Sequence, residues 1–182
     1  MANTAITDIS TERILLNPTD SRVSVVTGTL DADTPPGSWV VYDSDNDQWI
    51  GADSDTAAHK LRRVGVVGYK KRVNQSTGAL KTITDNWDVS ESEDKRTPII
   101  VSGIVVAKCD DPSAAVDAGT DMMVSDTENS IKVLAEATVT GTKTALKQVT
   151  AATVAANLAN GDTVGIFALG SCMGDIWGGV NA

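Results

Sequence analysis

Pro98-Ile99-Ile100-Val101-Ser102-Gly103-Ile104-Val105-Val106-Ala107, continued by Lys108-Cys109-Asp110-Asp111-Pro112, is the stretch on which the fold turns. Eight of its first ten residues are apolar, β-branched types dominate, and proline brackets the run. A short run of that composition reads as a strand. Alternation places Ile99, Val101 and Val105 on one face and Ile100, Ile104 and Val106 on the other. Both faces are apolar, so the strand needs cover on two sides, within a barrel, a sandwich or a subunit interface. Gly103, inside the run, marks a bulge, a bend or a close backbone approach.

Two segments repeat this theme of glycine followed by bulky apolar residues: Val64-Gly65-Val66-Val67-Gly68 and Val164-Gly165-Ile166-Phe167-Ala168. Their spacing is unequal, which excludes a solenoid repeat. The three read as one structural role, a strand pinched by glycine, used three times in a β-rich domain.

At 182 residues the chain is long enough for one domain with a real core. Aromatic residues are only 4% of it, and Ala, Gly, Ser and Thr take their place, which suits a turn-rich β protein. The formal charge of −9 argues against nucleic acid and anionic membranes as partners, since both call for cations. No apolar run reaches the roughly 20 residues of a helical membrane span. Met1 to Ala5 has neither the basic nor the apolar region of a signal peptide, so we expect a soluble protein made inside the cell. Cys109 and Cys172, far apart, read as two reduced, buried thiols.

Outward from the central strand, the order of elements is a sequence of strands and turns. Residues 1–22 are a polar arm, flexible until it docks, whose apolar knot is Ile14-Leu15-Leu16. Residues 23–169 form a single β-rich domain. Strands are expected at Val23–Leu30, Ser38–Tyr42 and Leu61–Tyr69, with Asp43–Asp47 turning a hairpin and Asn74–Gly78 tipping another. Residues 85–97 read as an exposed polar loop. Asp121–Ser125 pairs with Ser130–Leu134, and Thr163–Leu169 is the last strand. Thr150–Leu158 is the helix candidate, about 150–159, capped by Thr150 and closed by Asn160-Gly161. Residues 170–182 are a tail containing glycine and Trp177. The fold class is therefore mainly β, a small barrel- or sandwich-like domain with one short helix.

Charge is segregated along the chain. Between Arg22 and Lys60 stand seven Asp and no Lys, Arg or Glu, while Lys60, Arg62, Arg63, Lys70, Lys71 and Arg72 follow with no acid among them. The pattern reads as a solvated face or as a bipolar surface, whose basic edge meets an acidic partner or a neighbouring copy.

Catalysis finds no support. His59 is the only histidine, it has no neighbouring nucleophile candidate, and no nucleophile elbow, P-loop or H-E-x-x-H occurs. Asp43, Asp45 and Asp47 have the spacing that opens a calcium loop, but Gln48 stands where glycine is needed and Ser54 where a bidentate Glu belongs. We read no enzyme, no metal and no cofactor.

With these elements in place, the chain resembles the small β-rich capsid decoration, or cement, proteins of tailed bacterial and archaeal viruses. The resemblance covers about residues 37–169. It runs through Pro36-Gly37, Val64-Gly65-Val66-Val67, Val101-Ser102-Gly103, Ala118-Gly119-Thr120 before Met122-Met123-Val124, and Gly161-Asp162-Thr163-Val164-Gly165-Ile166. The family tends to end in a further strand, where this chain has its Gly/Trp tail. The resemblance implies a non-enzymatic virion protein on the outer capsid surface, bound to the major capsid protein and to itself, as a homotrimer that strengthens the head. Contact with capsid or partner is assigned to Ile14, Leu15 and Leu16 of the arm, which adds a strand to a capsid edge, and to Arg62, Arg63, Lys70, Lys71 and Arg72. Deleting residues 1–20 is expected to leave the domain folded. Rival readings are a tail-tube or fibre-associated β domain, and a carbohydrate-binding sandwich using Trp39, Trp49, Trp87 and Trp177 as stacking platforms.

Overall fold

Short β-branched runs separated by Gly, Pro and Asp turns cannot satisfy their backbone groups alone, so they pair into a ladder. A computed structural model describes residues 9, 13–53, 64–92, 94–110, 112–133 and 150–171. Eleven strands are found among them: β1 (Ser24–Gly28), β2 (Trp39–Asp43), β3 (Gln48–Gly51), β4 (Val64–Val67), β5 (Arg72–Val73), β6 (Leu80–Lys81), β7 (Thr97–Lys108), β8 (Asp121–Val124), β9 (Ile131–Val133), β10 (Ala152–Val154) and β11 (Val164–Leu169). Nine form one sheet in the order β3-β2-β4-β7-β11-β10-β8-β9, with β1 also paired to β7; β5 and β6 form a separate hairpin. The protein is mainly β, in a curled, half-barrel sheet, as the composition and alternation predict.

The three glycine-pinched segments are β4, β7 and β11, and they are immediate neighbours at the centre of the sheet. β7 is its axis. Its first half is flanked by β1 and β4, with Ile100 opposite both Val25 and Val66. Its second half lies against β11, from Gly103↔Leu169 to Lys108↔Val164. The sheet curls because its far ends meet: the Trp39 and Asn129 amides donate to the carbonyls of Asn129 and Ala52 at 3.1 and 2.8 Å. The Trp39 indole also donates to the Lys108 carbonyl at 2.6 Å.

β7 separates two apolar clusters. Ile100, Val105 and Ala107 join Trp39, Met122 and Phe167 in the larger one, where Trp39 and Phe167 meet edge to face at 5.7 Å. Ile99 and Val101 join Leu30, Trp49 and Trp87 in the smaller. The uninterrupted alternation expected from sequence is therefore wrong at one point: Val105 shares a cluster with Ile100, not with Ile99 and Val101. The phase slips because the β1 register passes from Ser102 to Ile100 and leaves Val101 unopposed, and because Gly103 takes φ 148°. A Cβ on Gly103 would lie 2.6 Å from Leu15 Cδ1, which makes this a close approach as well as a bend.

Three further expectations are corrected. Residues 150–159 are not a helix; β10 runs through them, paired with β8 and β11. Alanine favours helix locally, but Ala152, Thr153 and Val154 are all buried between two strands, where small and β-branched side chains fit best. Residues 85–97 are not simply exposed, since Trp87 and Asp94 are buried. The arm is docked on its own chain from Ile14 onward: Leu15 bridges Val105, the Leu16 amide donates to the Ile104 carbonyl, and the Val106 amide to the Ile14 carbonyl. Deleting residues 1–20 would strip a pairing partner from β7, so that truncation is expected to destabilise the domain.

Candidate docking surface

The β5–β6 hairpin follows the alternation rule with inverted content. Register opposes Arg72 to Lys81 and Val73 to Leu80. Arg72 and Lys81 point inward, 4% and 8% exposed, while Val73 and Leu80 point outward at 40% and 70%. The Asn74 side chain accepts the Ser76 and Thr77 amides at 3.0 and 2.9 Å, and Gly78 takes positive φ, which together close the tip.

The inward charges are held by the loop before β7. Arg72 Nε lies 3.0 Å from Asp94 Oδ1 and 3.1 Å from Oδ2. Lys81 Nζ donates to Asp94 at 2.9 Å and to Glu91 at 2.8 Å. One Arg72 nitrogen donates to the Asp85 and Asn86 carbonyls at 3.0 and 2.5 Å, and the guanidinium stacks 4.0 Å from the Trp87 ring centre. Trp87 in turn donates to the Gly68 carbonyl at 3.0 Å. Burial opposes ionisation of Asp94, but the Asp88 amide, Lys81 and Arg72 outweigh it and hold its carboxyl below the ordinary range. Burial likewise opposes the Lys81 charge, and Glu91 and Asp94 more than restore it, raising its pKa.

The outer face is thus a fixed platform: Leu80 and Val73 side by side, with exposed Lys71 two positions before Val73. Lys70, also exposed, lies 5.4 Å from the Trp87 ring centre and reaches the Arg96 carbonyl at 3.4 Å. The tip is tied to the loop by Gln75, which donates to Ser92 at 3.1 Å.

Of the contact residues assigned from sequence, Lys71 flanks this surface, while Lys70 is exposed but turned to the Trp87 ring and the Arg96 carbonyl. Arg72 is beneath it, committed to Asp94. Ile14 is 2% exposed and belongs to the larger cluster, with Leu15 packed against it, so neither is offered whole to a partner. Leu16 is half-buried beside β7. Arg62 and Arg63, like His59, Cys172 and Trp177, lie outside the described residues. Sequence reasoning missed Val73 and Leu80, whose signal was the polar–apolar alternation of Arg72-Val73 and Leu80-Lys81.

Other candidates resolve into structure. The Asp43 carboxylate accepts the Asp45 amide and the Asn46 side chain at 3.3 and 2.8 Å, and Asp47 accepts the Tyr42 hydroxyl at 2.7 Å, so these aspartates shape the β2–β3 turn. Among the described residues no cluster of His, Cys, Asp or Glu is placed to hold a metal. The buried Cys109 thiol donates to the Asp162 carbonyl at 3.4 Å. An open cleft of 580 Å³ is lined by Pro35, Pro36, Ile83, Lys108, Asp110 and Glu128 among others, and burial lowers the Lys108 pKa. It gathers none of the assigned contact residues. Trp39, Trp49 and Trp87 are buried, which removes three of the four proposed sugar platforms.

No protein-family model and no curated protein matches this chain.

Proposed function

We propose that this is a non-enzymatic virion structural protein that binds the outer surface of a capsid and stabilises the head, working as a trimer with the major capsid protein as its partner. The observation that carries the reading is the β5–β6 platform: an apolar pair turned outward on a base tied down by buried ion pairs, with exposed Lys71 beside it in the chain. Such a surface serves attachment to protein rather than chemistry. The resemblance in the order of the glycine–valine strands supplies the class of partner, and β4, β7 and β11 carry three of its motifs. Many copies on a lattice turn modest contacts into durable ones.

The test is density-gradient sedimentation of the native lysate, with the protein followed by mass spectrometry. Co-migration with intact particles, at a copy number comparable to the major shell protein, is expected. A protein that stays with the soluble fraction overturns the capsid reading.

A further inference from the structure

We propose that the occupant of the β5–β6 platform is a second copy of this chain, seated through its acidic β2–β3 turn. This names one partner for the docking surface and rests on the reading of that surface as a contact site. It does not rest on the capsid.

The platform offers Val73 and Leu80, with exposed Lys71 two positions before Val73. Its complement is present on the same molecule. The turn between β2 and β3 presents Asp45 and Asp47, both exposed, within a segment that contains seven Asp and no Lys, Arg or Glu. The two belong to different sheets, the hairpin to the two-stranded one and the turn to the curled one. One copy therefore carries both halves of a contact on separate elements. A patch that meets a different patch on the next copy makes a heterologous interface, which closes into a ring when the rotation allows and needs no third component. Opposite charges at the rim select that pairing against hairpin-on-hairpin, where lysines would face lysines.

Sedimentation velocity of the purified full chain, over a concentration series at low and high salt, tests this. The wild-type protein is expected to gain mass with concentration, and to lose affinity at high salt because the rim contacts are screened. Leu80→Glu is expected to return the protein to monomer; its side chain is already 70% exposed, so folding is unaffected, and circular dichroism checks that. Lys71→Glu and Asp45→Lys are each expected to weaken association several-fold, and an equimolar mixture of the two proteins to recover it. A wild-type protein that stays monomeric at its highest soluble concentration overturns the proposal, as does association that Leu80→Glu leaves unchanged or a mixture that recovers nothing. Particle binding is read separately: a monomer that co-migrates with heads defeats this inference alone, and an oligomer that does not defeats only the capsid reading.

Discussion

Along β7 the alternation of side chains, with its one slip at Val101–Gly103, sends Ile100, Val105 and Ala107 into the larger core; along β5 and β6 unbroken alternation sends Arg72 and Lys81 inward and leaves Val73 and Leu80 in water. One backbone rule thus serves two kinds of cohesion. The curled sheet is held by area removed from water, which is non-directional and tolerates small shifts. The hairpin is held by directed bonds from Arg72 and Lys81 to Asp94, which fix its position at the cost of desolvating charge. What this teaches is where each region can change. The sheet fails through lost volume, the hairpin through a lost partner.

The largest effect expected is in the sheet. Phe167→Ala removes a fully buried ring packed on Trp39 and should lower unfolding free energy by about 4 kcal/mol, measured by denaturant titration. A loss below about 1 kcal/mol would mean that this pair is not the centre of the core.

Asp94→Ala should follow, at about 3 kcal/mol, because Arg72 and Lys81 remain buried without their shared acceptor. It differs from Phe167→Ala in its pH dependence. The Asp94 carboxyl is held below its ordinary value of 3.8, so its contribution is complete above that pH and is lost as pH falls through the lower folded value. The gap between wild type and Asp94→Ala should therefore narrow in acid, while the Phe167→Ala gap stays constant. Lys81 has the opposite sign: its pKa is raised from 10.5, and its contribution is lost only as pH rises past that higher value. Equal pH profiles for the two variants would abolish the distinction between the regions.

Gly103→Val tests the point where the sheet's own alternation slips. A side chain there meets Leu15 Cδ1 and is forced to φ 148°, so roughly 2 kcal/mol should be lost. An unchanged melting temperature would show that the bend at Val101–Gly103 is not required.

The sheet was the more legible region because its information is local. β-branched runs, glycine positions and turn residues define β4, β7 and β11 without reference to their neighbours, and the order of those segments is the order of the chain. Local information also misled where neighbours decide. The alanines of 151–156 favour helix until β8 and β11 claim Ala152–Val154 from both sides. Ile14 looked like a free knot in a polar arm, and only the open edge of β7 explains its burial. The hairpin was hardest to read. Charged residues are assigned to the surface by default, so nothing near Arg72 or Lys81 signals that Asp94, far along the chain, holds both inside. Their alternation with Val73 and Leu80 was present in the sequence, but alternation alone does not say which face is inward.

The smallest effect expected is on the hairpin's outer face, and it sharpens the comparison most. Leu80→Ser removes an apolar side chain that touches little within its own chain, so stability should change by less than about 0.5 kcal/mol. The same truncation at Ile100, its counterpart on β7, would open a cavity. If Leu80→Ser instead destabilised the protein by as much as a core substitution, Leu80 would be buried in the native state and the inverted assignment of the hairpin would fail. An unchanged denaturant midpoint, together with reduced self-association, would separate what holds this region in place from what it is exposed to do. The buried charges perform the first task and leave the apolar pair to the second.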